Sequence, residues 1–264
     1  MRGNNMMPFE TNVTDLDAIG LRRSRRKYLS TPMTQRTVDY LKSEITKFNQ
    51  DSGLSIFLLE DGSQAFNGIT KSYGMLKGVR SLIVLKGASS DAHLKEKCGY
   101  YGERLVLDAT KLGLGTCWVA GTYNRKDPVF KCDDDEEVIC VITIGHVEEE
   151  KSMGEQLTHK LTHRKTKPAS EFYSLHHFDE KAPEWFLRGI ESVMKAPSAV
   201  NSQPVHFVFD KLKHQITAHV SGKRPTDLID LGIAKLHFEI VTGGTFALGN
   251  GGNFYHENYK NDFS

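Results

Sequence analysis

The amino-acid sequence predicts an α+β fold of α/β character, in which helices cover a mixed sheet. Three observations carry that expectation. Helix-like and strand-like stretches interleave along all 264 residues, as they do where helices pack on a sheet. Residues 81–86 (Ser-Leu-Ile-Val-Leu-Lys) and 138–144 are short apolar runs with the length of buried strands. Residues 34–48 place Val38, Leu41, Ile45 and Phe48 on one helical face.

The elements follow in order. A short helix is expected over 15–23, running into the basic turn Arg22-Arg23-Ser24-Arg25-Arg26-Lys27-Tyr28. Thr31-Pro32 reads as the start of the helix over 34–48. Residues 54–59 read as a strand, and the polar, Gly-containing stretch 66–78 as loop and short helix. After the strand at 81–86, a long helix is expected over 91–112, ended by Gly113. A short strand at 116–119 precedes an acidic loop at 133–137 and the buried strand at 138–144. Residues 148–168 are hydrophilic and read as a connector. A helix over 183–194, a hairpin of 205–209 with 215–220, and an amphipathic helix over 227–241 complete the chain. Each half shows helix, strand, strand, helix and short strand, a weak internal echo open to two readings: a common α/β coincidence, or a fused pseudo-dimer.

Charged residues make up 25% and hydrophobic residues 39%, with a net charge of +1. That is ordinary for a soluble globular protein and supplies no global field to recruit nucleic acid or a membrane surface. No apolar run is long enough to span a bilayer, and the polar first 17 residues carry no signal-peptide pattern. Cys98, Cys117, Cys132 and Cys140 lack CxxC spacing, which fits the reducing cytoplasm better than a secreted scaffold. His159 and His163 stand at i, i+4 and His176-His177 follow. Without HExxH or a carboxylate at ligand spacing, these read as surface histidines and no metal is expected. Gly249-Asn250-Gly251-Gly252 lacks a strand-turn-helix context and reads as a flexible loop.

Three segments carry candidate chemistry. In an extended chain Arg22, Ser24 and Arg26 point to one side; in a helix Arg22 and Arg26 share a face. Either geometry converges guanidinium groups suited to phosphate oxygens. Taken alone, such a run also reads as a solvated face or, next, as a nucleic-acid patch. The second segment, Leu112-Gly113-Leu114-Gly115-Thr116-Cys117-Trp118-Val119-Ala120-Gly121, has glycines that permit close approach of a ligand, or simply a helix end leading into a strand. Cys117 reads as a small core residue. The third, Met194-Lys195-Ala196-Pro197-Ser198-Ala199-Val200-Asn201-Ser202-Gln203-Pro204, puts short hydrogen-bonding side chains on a compact loop between two prolines.

These segments resemble signatures of the nitroreductase family, the FMN-dependent NAD(P)H oxidoreductases. Pro197-Ser198-x-x-Asn201-x-Gln203-Pro204 matches the flavin loop, and the basic turn matches the N-terminal phosphate-binding signature, with Tyr28 in place of the usual Phe. The resemblance implies that Arg22, Arg23, Ser24 and Arg26 hold the FMN phosphate. It implies that Trp118, Val119, Ala120 and Gly121 lie near the isoalloxazine through backbone groups. Pro197, Ser198, Asn201 and Gln203 would meet the ring edge or ribityl chain. Arg164, with Lys165 as runner-up, would add a phosphate contact, and Lys71 would stabilise the reduced flavin; a plain solvated charge is the competing reading of each.

The order of the motifs departs from ordinary nitroreductases, because the Pro-Ser loop comes only in the second half. It is similar to the branch in which two half-repeats of one chain mimic the usual dimer. On that reading residues 1–167 form the half with the phosphate-binding turn and 168–264 the half with the Pro-Ser loop, giving one composite flavin site. The implied activity is ping-pong hydride transfer from NAD(P)H to FMN and on to a nitroaromatic, quinone or other acceptor. The chemistry would rest on FMN, with no catalytic side chain. The alternative is an FMN-binding sensor or store with little turnover. The expected partner is a small-molecule acceptor, with no nucleic acid and no membrane, and the expected state is a monomer or weak homodimer in the cytoplasm.

Overall fold

A computed structural model describes residues 12–63, 76–121, 127–148, 166–179 and 181–256. The chain divides into two compact units, one of residues 1–94 and 104–162, the other of residues 95–103 and 163–264.

In the first unit, α1 (Asp15–Leu21) opens with a capping box between Thr14 and Asp17. Helix α2 (Gln35–Ser52) starts at Thr34, whose hydroxyl accepts the Thr37 N–H, so the true cap lies after Thr31-Pro32. Val38, Leu41 and Ile45 form its buried stripe, and Gly53 ends it at φ 72°. Strands β1 (Phe57–Leu59), β2 (Ser81–Ala88), β3 (Gly115–Val119) and β4 (Glu136–Gly145) make one sheet in the order β1-β2-β4-β3. All three pairings are antiparallel. Strand β1 is shorter than the 54–59 run implies, because Leu54 makes only an isolated bridge to Gly87. The sheet centre is apolar on both faces: seven of the eight residues of β2 are buried, as expected for a covered strand. Helix α3 (Leu94–Lys111) crosses the unit boundary in sequence, and Gly113 follows it at φ 72°.

In the second unit, β5 (Tyr173–His176), β6 (His206–Asp210) and β7 (Gln215–His219) form a mixed sheet, with β5 parallel to β6 and β6 antiparallel to β7. The β6–β7 hairpin matches the sequence expectation; the short, half-buried β5 carries no pattern that announces it. Helix α4 (Glu184–Lys195) buries Phe186, Ile190 and Val193 along one stripe. Helix α5 (Asp227–Thr242) departs from the expected amphipathic pattern, since residues 229–239 are all buried. The cause is that it is packed on several sides. Against α4, an alanine Cβ at Gly189 would come 2.5 Å from Phe238. Against residues 95–103, a Cβ at Gly99 would come 2.1 Å from the Ile229 carbonyl, and one at Gly232 2.0 Å from the Glu96 carbonyl. That crossing is reciprocal, a glycine of each segment lying on the other's backbone.

Burying a helix on all sides costs free energy wherever it carries charge, unless each charge is paired. Lys235 meets Glu96 at 2.5 Å. His237 meets Glu103 at 3.0 Å, both side chains fully buried. Glu239 accepts the Tyr100 hydroxyl at 2.6 Å. The short strands β8 (Thr245–Phe246) and β9 (Phe254–Tyr255) close the described chain as a hairpin. Its connecting loop is not the flexible segment the glycines imply. Lys235 Nζ donates to the Ala247 and Gly249 carbonyls, Gly249 N–H donates to Glu96, and Asn250 pairs both backbone groups of Val220. No helix among the described residues is long and apolar enough to cross a membrane.

Candidate functional site

Two segments hold most of the described candidate residues, one in each unit. The basic segment begins where α1 stops. Arg22 takes an extended conformation (φ −51°, ψ 131°), so the helix cannot continue through the arginines. Beyond it the chain is extended: Ser24 bridges Thr116 and Lys27 bridges Lys77, both in parallel sense. Four backbone bonds fix the path, Arg25 N–H to Thr116, Lys77 N–H to Arg26, Tyr28 N–H to Lys77 and Leu29 N–H to His146, at 2.8–2.9 Å. The extended alternative, not the helical one, therefore describes this segment.

Arg22, Ser24 and Arg26 are all half-buried. Arg23 differs. Its Nη1 turns back to donate to the Gly20 and Arg22 carbonyls at 2.8 and 2.7 Å, which places it on the C-terminal end of α1. Arg25, which the sequence does not single out, is the buried member. Its Nη2 donates to the Glu148 carbonyl at 2.8 Å, and its stem lies where a Cβ on Gly115 would come within 3.0 Å. Tyr28 is a core residue too, its hydroxyl donating to the Arg25 carbonyl at 2.7 Å and meeting Thr143 Oγ1 at 2.6 Å.

The Gly-Leu-Gly segment becomes β3. Gly115 is required by space, since a Cβ there would lie 2.3 Å from Val147 Cγ1. Cys117 is buried, as expected of a small core residue. Val119 sits in an apolar cluster with Leu82, Val84, Phe130, Val138 and Val141. Its side chain is committed to that cluster, leaving only backbone for a ligand. Trp118 and Ala120 are half-buried, and Gly121 is exposed. Lys71 and Arg164 lie outside the described residues.

The Pro-Ser loop follows α4. Ala196 leaves the helix extended, and Pro197 keeps it from resuming. Residues 199–201 form one 3₁₀ turn, within and after which Val200, Asn201 and Gln203 all have φ near +50°. Left-handed backbone is a real cost for a β-branched residue such as Val200, of order 1–3 kcal/mol for each such residue. Side chains hold the loop there. Ser198 Oγ accepts the Gln203 N–H at 2.9 Å. Gln203 Oε1 accepts the Lys167 N–H at 3.0 Å, its Nε2 donates to the Asn201 carbonyl at 3.1 Å, and its own carbonyl accepts from Lys167 Nζ at 3.0 Å. Asp230, in the first turn of α5, accepts the Ala199 N–H on both oxygens at 3.1 and 3.3 Å. Gln203 is thus buried and engaged within the loop, while Asn201 is half-buried and Val200 projects, 62% exposed. Pro197, Ser198, Gln203 and Asp230 line a small cavity floored by Phe172 and Val193.

Burial pushes the Asp230 carboxyl up to about 7; the Ala199 N–H and Arg224 oppose that rise and Asp227 adds to it. Asp230 and Lys167 are the residues that sequence reasoning missed here. The available signal was an acidic residue between apolar neighbours in a helical run, Leu228-Ile229-Asp230-Leu231.

The first segment carries guanidinium groups and a hydroxyl, groups of the kind that suit the phosphate of a ligand such as FMN. In the second, Ser202 Oγ is buried (the residue is 8% exposed) and has no hydrogen-bond partner in the structure, a polar atom whose burial is costly without one.

No curated protein matches the chain. Among solved structures, a "putative nitroreductase" of Thermotoga maritima matches with TM-score 0.61 and 22% identity, covering 91% of this chain and 92% of that one. A "putative NADH oxidase" of Clostridium acetobutylicum matches at 22% identity and TM-score 0.43, over 51% of this chain and 90% of its own. An "FMN-dependent nitroreductase" of Clostridium difficile matches at 22% identity and TM-score 0.40, over 56% of this chain and 98% of its own. The family described as "Putative TM nitroreductase" matches residues 15–242, nearly the whole of the described fold, and the chain belongs to that nitroreductase family.

Proposed function

We propose that this chain is an FMN-dependent NAD(P)H oxidoreductase of nitroreductase type. On this reading it takes a hydride from NAD(P)H and passes electrons in a ping-pong cycle to a nitroaromatic, quinone or other small acceptor. The observation that carries the reading is the basic segment: an extended backbone, fixed by neighbouring strands, inside the residues matched by the nitroreductase family. Arg22, Ser24 and Arg26 would hold the phosphate, guanidinium groups being suited to bidentate contact with its oxygens. The backbone of Trp118, Val119, Ala120 and Gly121 would border the ring, and Ser198 and Asn201 would donate to the ring edge or ribityl chain. Bound FMN supplies the redox chemistry; the chain supplies orientation and electrostatics. The reciprocal glycine crossing of residues 95–103 with α5 supports reading the chain as an internal repeat, because reciprocal contacts are what a two-fold axis produces.

The test is the visible absorption spectrum of the purified chain, before and after FMN addition and gel filtration. Retained flavin bands at about one flavin per chain support the reading, and steady NAD(P)H oxidation with an added quinone separates an enzyme from a flavin store. A colourless protein that cannot retain FMN overturns it.

A further inference from the structure

We propose that Asp230 is a positioning residue of the 197–203 loop, which it holds through the Ala199 N–H so that the loop's presentation of Ser198 and Asn201 to flavin depends on pH. The flavin part of this inference rests on the function proposed above.

The geometry comes first. Asp230 lines the cavity beneath Pro197, Ser198 and Gln203. Both its oxygens reach one N–H, that of Ala199, directly before the left-handed residues Val200 and Asn201. Strained backbone persists only where surrounding contacts over-determine it, and this contact ties the start of the 3₁₀ turn to a rigid helix.

The chemistry gives the contact two strengths. As a carboxylate, Asp230 makes a charge-assisted bond; as a neutral acid it loses one acceptor oxygen and the charge. An asparagine would accept the same N–H without carrying charge into the interior. The carboxylate brings the desolvation cost and, with it, a titration.

The surroundings identify Asp230 as the group that changes. Along its own helix and lead-in the charged neighbours are Asp227 and Arg224. Asp227 is engaged by Ser221 Oγ and the Arg224 N–H. From residues 95–103, Glu96, Tyr100 and Glu103 face α5 and pair with Lys235, Glu239 and His237. Helix α4 and the 3₁₀ turn at Ala169–Glu171 bring only Val193 and the adjacent Phe172 to the cavity. In the loop, Lys167 is held on the Gln203 carbonyl.

The experiment uses the full chain and Asp230→Asn, each without flavin and with added FMN, from about pH 5 to about pH 9. Amide hydrogen exchange reads the loop and a fluorescence titration reads FMN affinity. In the parent, the protection factor of the Ala199 amide rises several-fold with pH around a midpoint near 7, and FMN affinity changes with the same midpoint. In Asp230→Asn both profiles are flat. A flat parent profile overturns the proposal, as does a midpoint that survives in the variant, and the parent profile alone decides should the variant fold poorly. If the amide titrates but FMN binds at no pH, the flavin reading fails and the anchoring role of Asp230 stands.

Discussion

Residues 22–28 and residues 197–204 carry the two clearest motifs in this chain, and opposite means hold them. The basic segment hangs on its backbone: bridges from Ser24 to Thr116 of β3 and from Lys27 to Lys77 set its path. The Pro-Ser loop hangs on its side chains: Ser198, Gln203 and Asp230 bind backbone groups in and around a left-handed turn. Where backbone does the fixing, the path does not depend on which side chains the motif carries. Where side chains do it, part of the motif is consumed internally. Gln203 therefore shapes the loop through both ends of its amide.

The largest effect should come from breaking the first segment. Arg22→Ala with Arg26→Ala removes two charge-assisted contacts, and FMN affinity should fall at least about a hundredfold in the folded variant. Fluorescence titration beside a thermal melt checks this, and unchanged affinity in the folded variant would remove the phosphate assignment.

Asp230→Asn sharpens the contrast in the loop through pH. The folded pKa of about 7 lies above the unfolded value of about 3.9. Between those values the folded state binds the extra proton, so stability falls as pH rises and levels off above the folded pKa. The asparagine variant should accordingly be the more stable by roughly 2 kcal/mol at pH 8 to 9, with the gain shrinking toward pH 4. Urea unfolding at both ends of that range reads it; an equal gain at all pH values would exclude titration as the cause.

Gln203→Ala should cost about 1–2 kcal/mol of stability, because it strips partners from the Lys167 N–H and the Asn201 carbonyl. Loss of FMN with no loss of stability would instead mean that Gln203 is a ligand contact. Arg23→Ala should be the mildest, about 0.5 kcal/mol or less for an exposed helix-end contact, with flavin retention intact. A large drop in retention would return Arg23 to the phosphate site.

The sheet strands β2 and β4 were legible because each holds a run of buried apolar residues, Leu82–Leu85 and Val138–Ile142, a local signal. Helix α2 was legible through Val38, Leu41 and Ile45, though not its cap at Thr34. Strands β5, β8 and β9 were not, since two to four half-buried or exposed residues carry no period. Helix α5 looked amphipathic because Asp227, Asp230, Lys235 and Glu239 are charged; the burial of Asp230, Lys235 and Glu239 depends on partners far away in sequence. The site divides the same way. Runs such as Arg22 to Arg26 announce themselves, whereas Asp230 and Lys167 matter only through contacts 31 and 36 residues distant.

The segment beyond residue 242, where the family match stops, is tied to the buried charges of the fold through atoms that every residue possesses. Lys235 needs the carbonyls of Ala247 and Gly249, and Glu96 needs the N–H of Gly249. Among the described residues, Asn250, which clamps Val220, Asn253, Phe254 in the core with Phe246 packed against it, and the crowded Gly244 and Gly252 do demand a particular side chain or the lack of one. Such a tail can diverge in composition while keeping its path. Relatives of this chain would be expected to conserve the lysine inside the helix more faithfully than the loop that satisfies it.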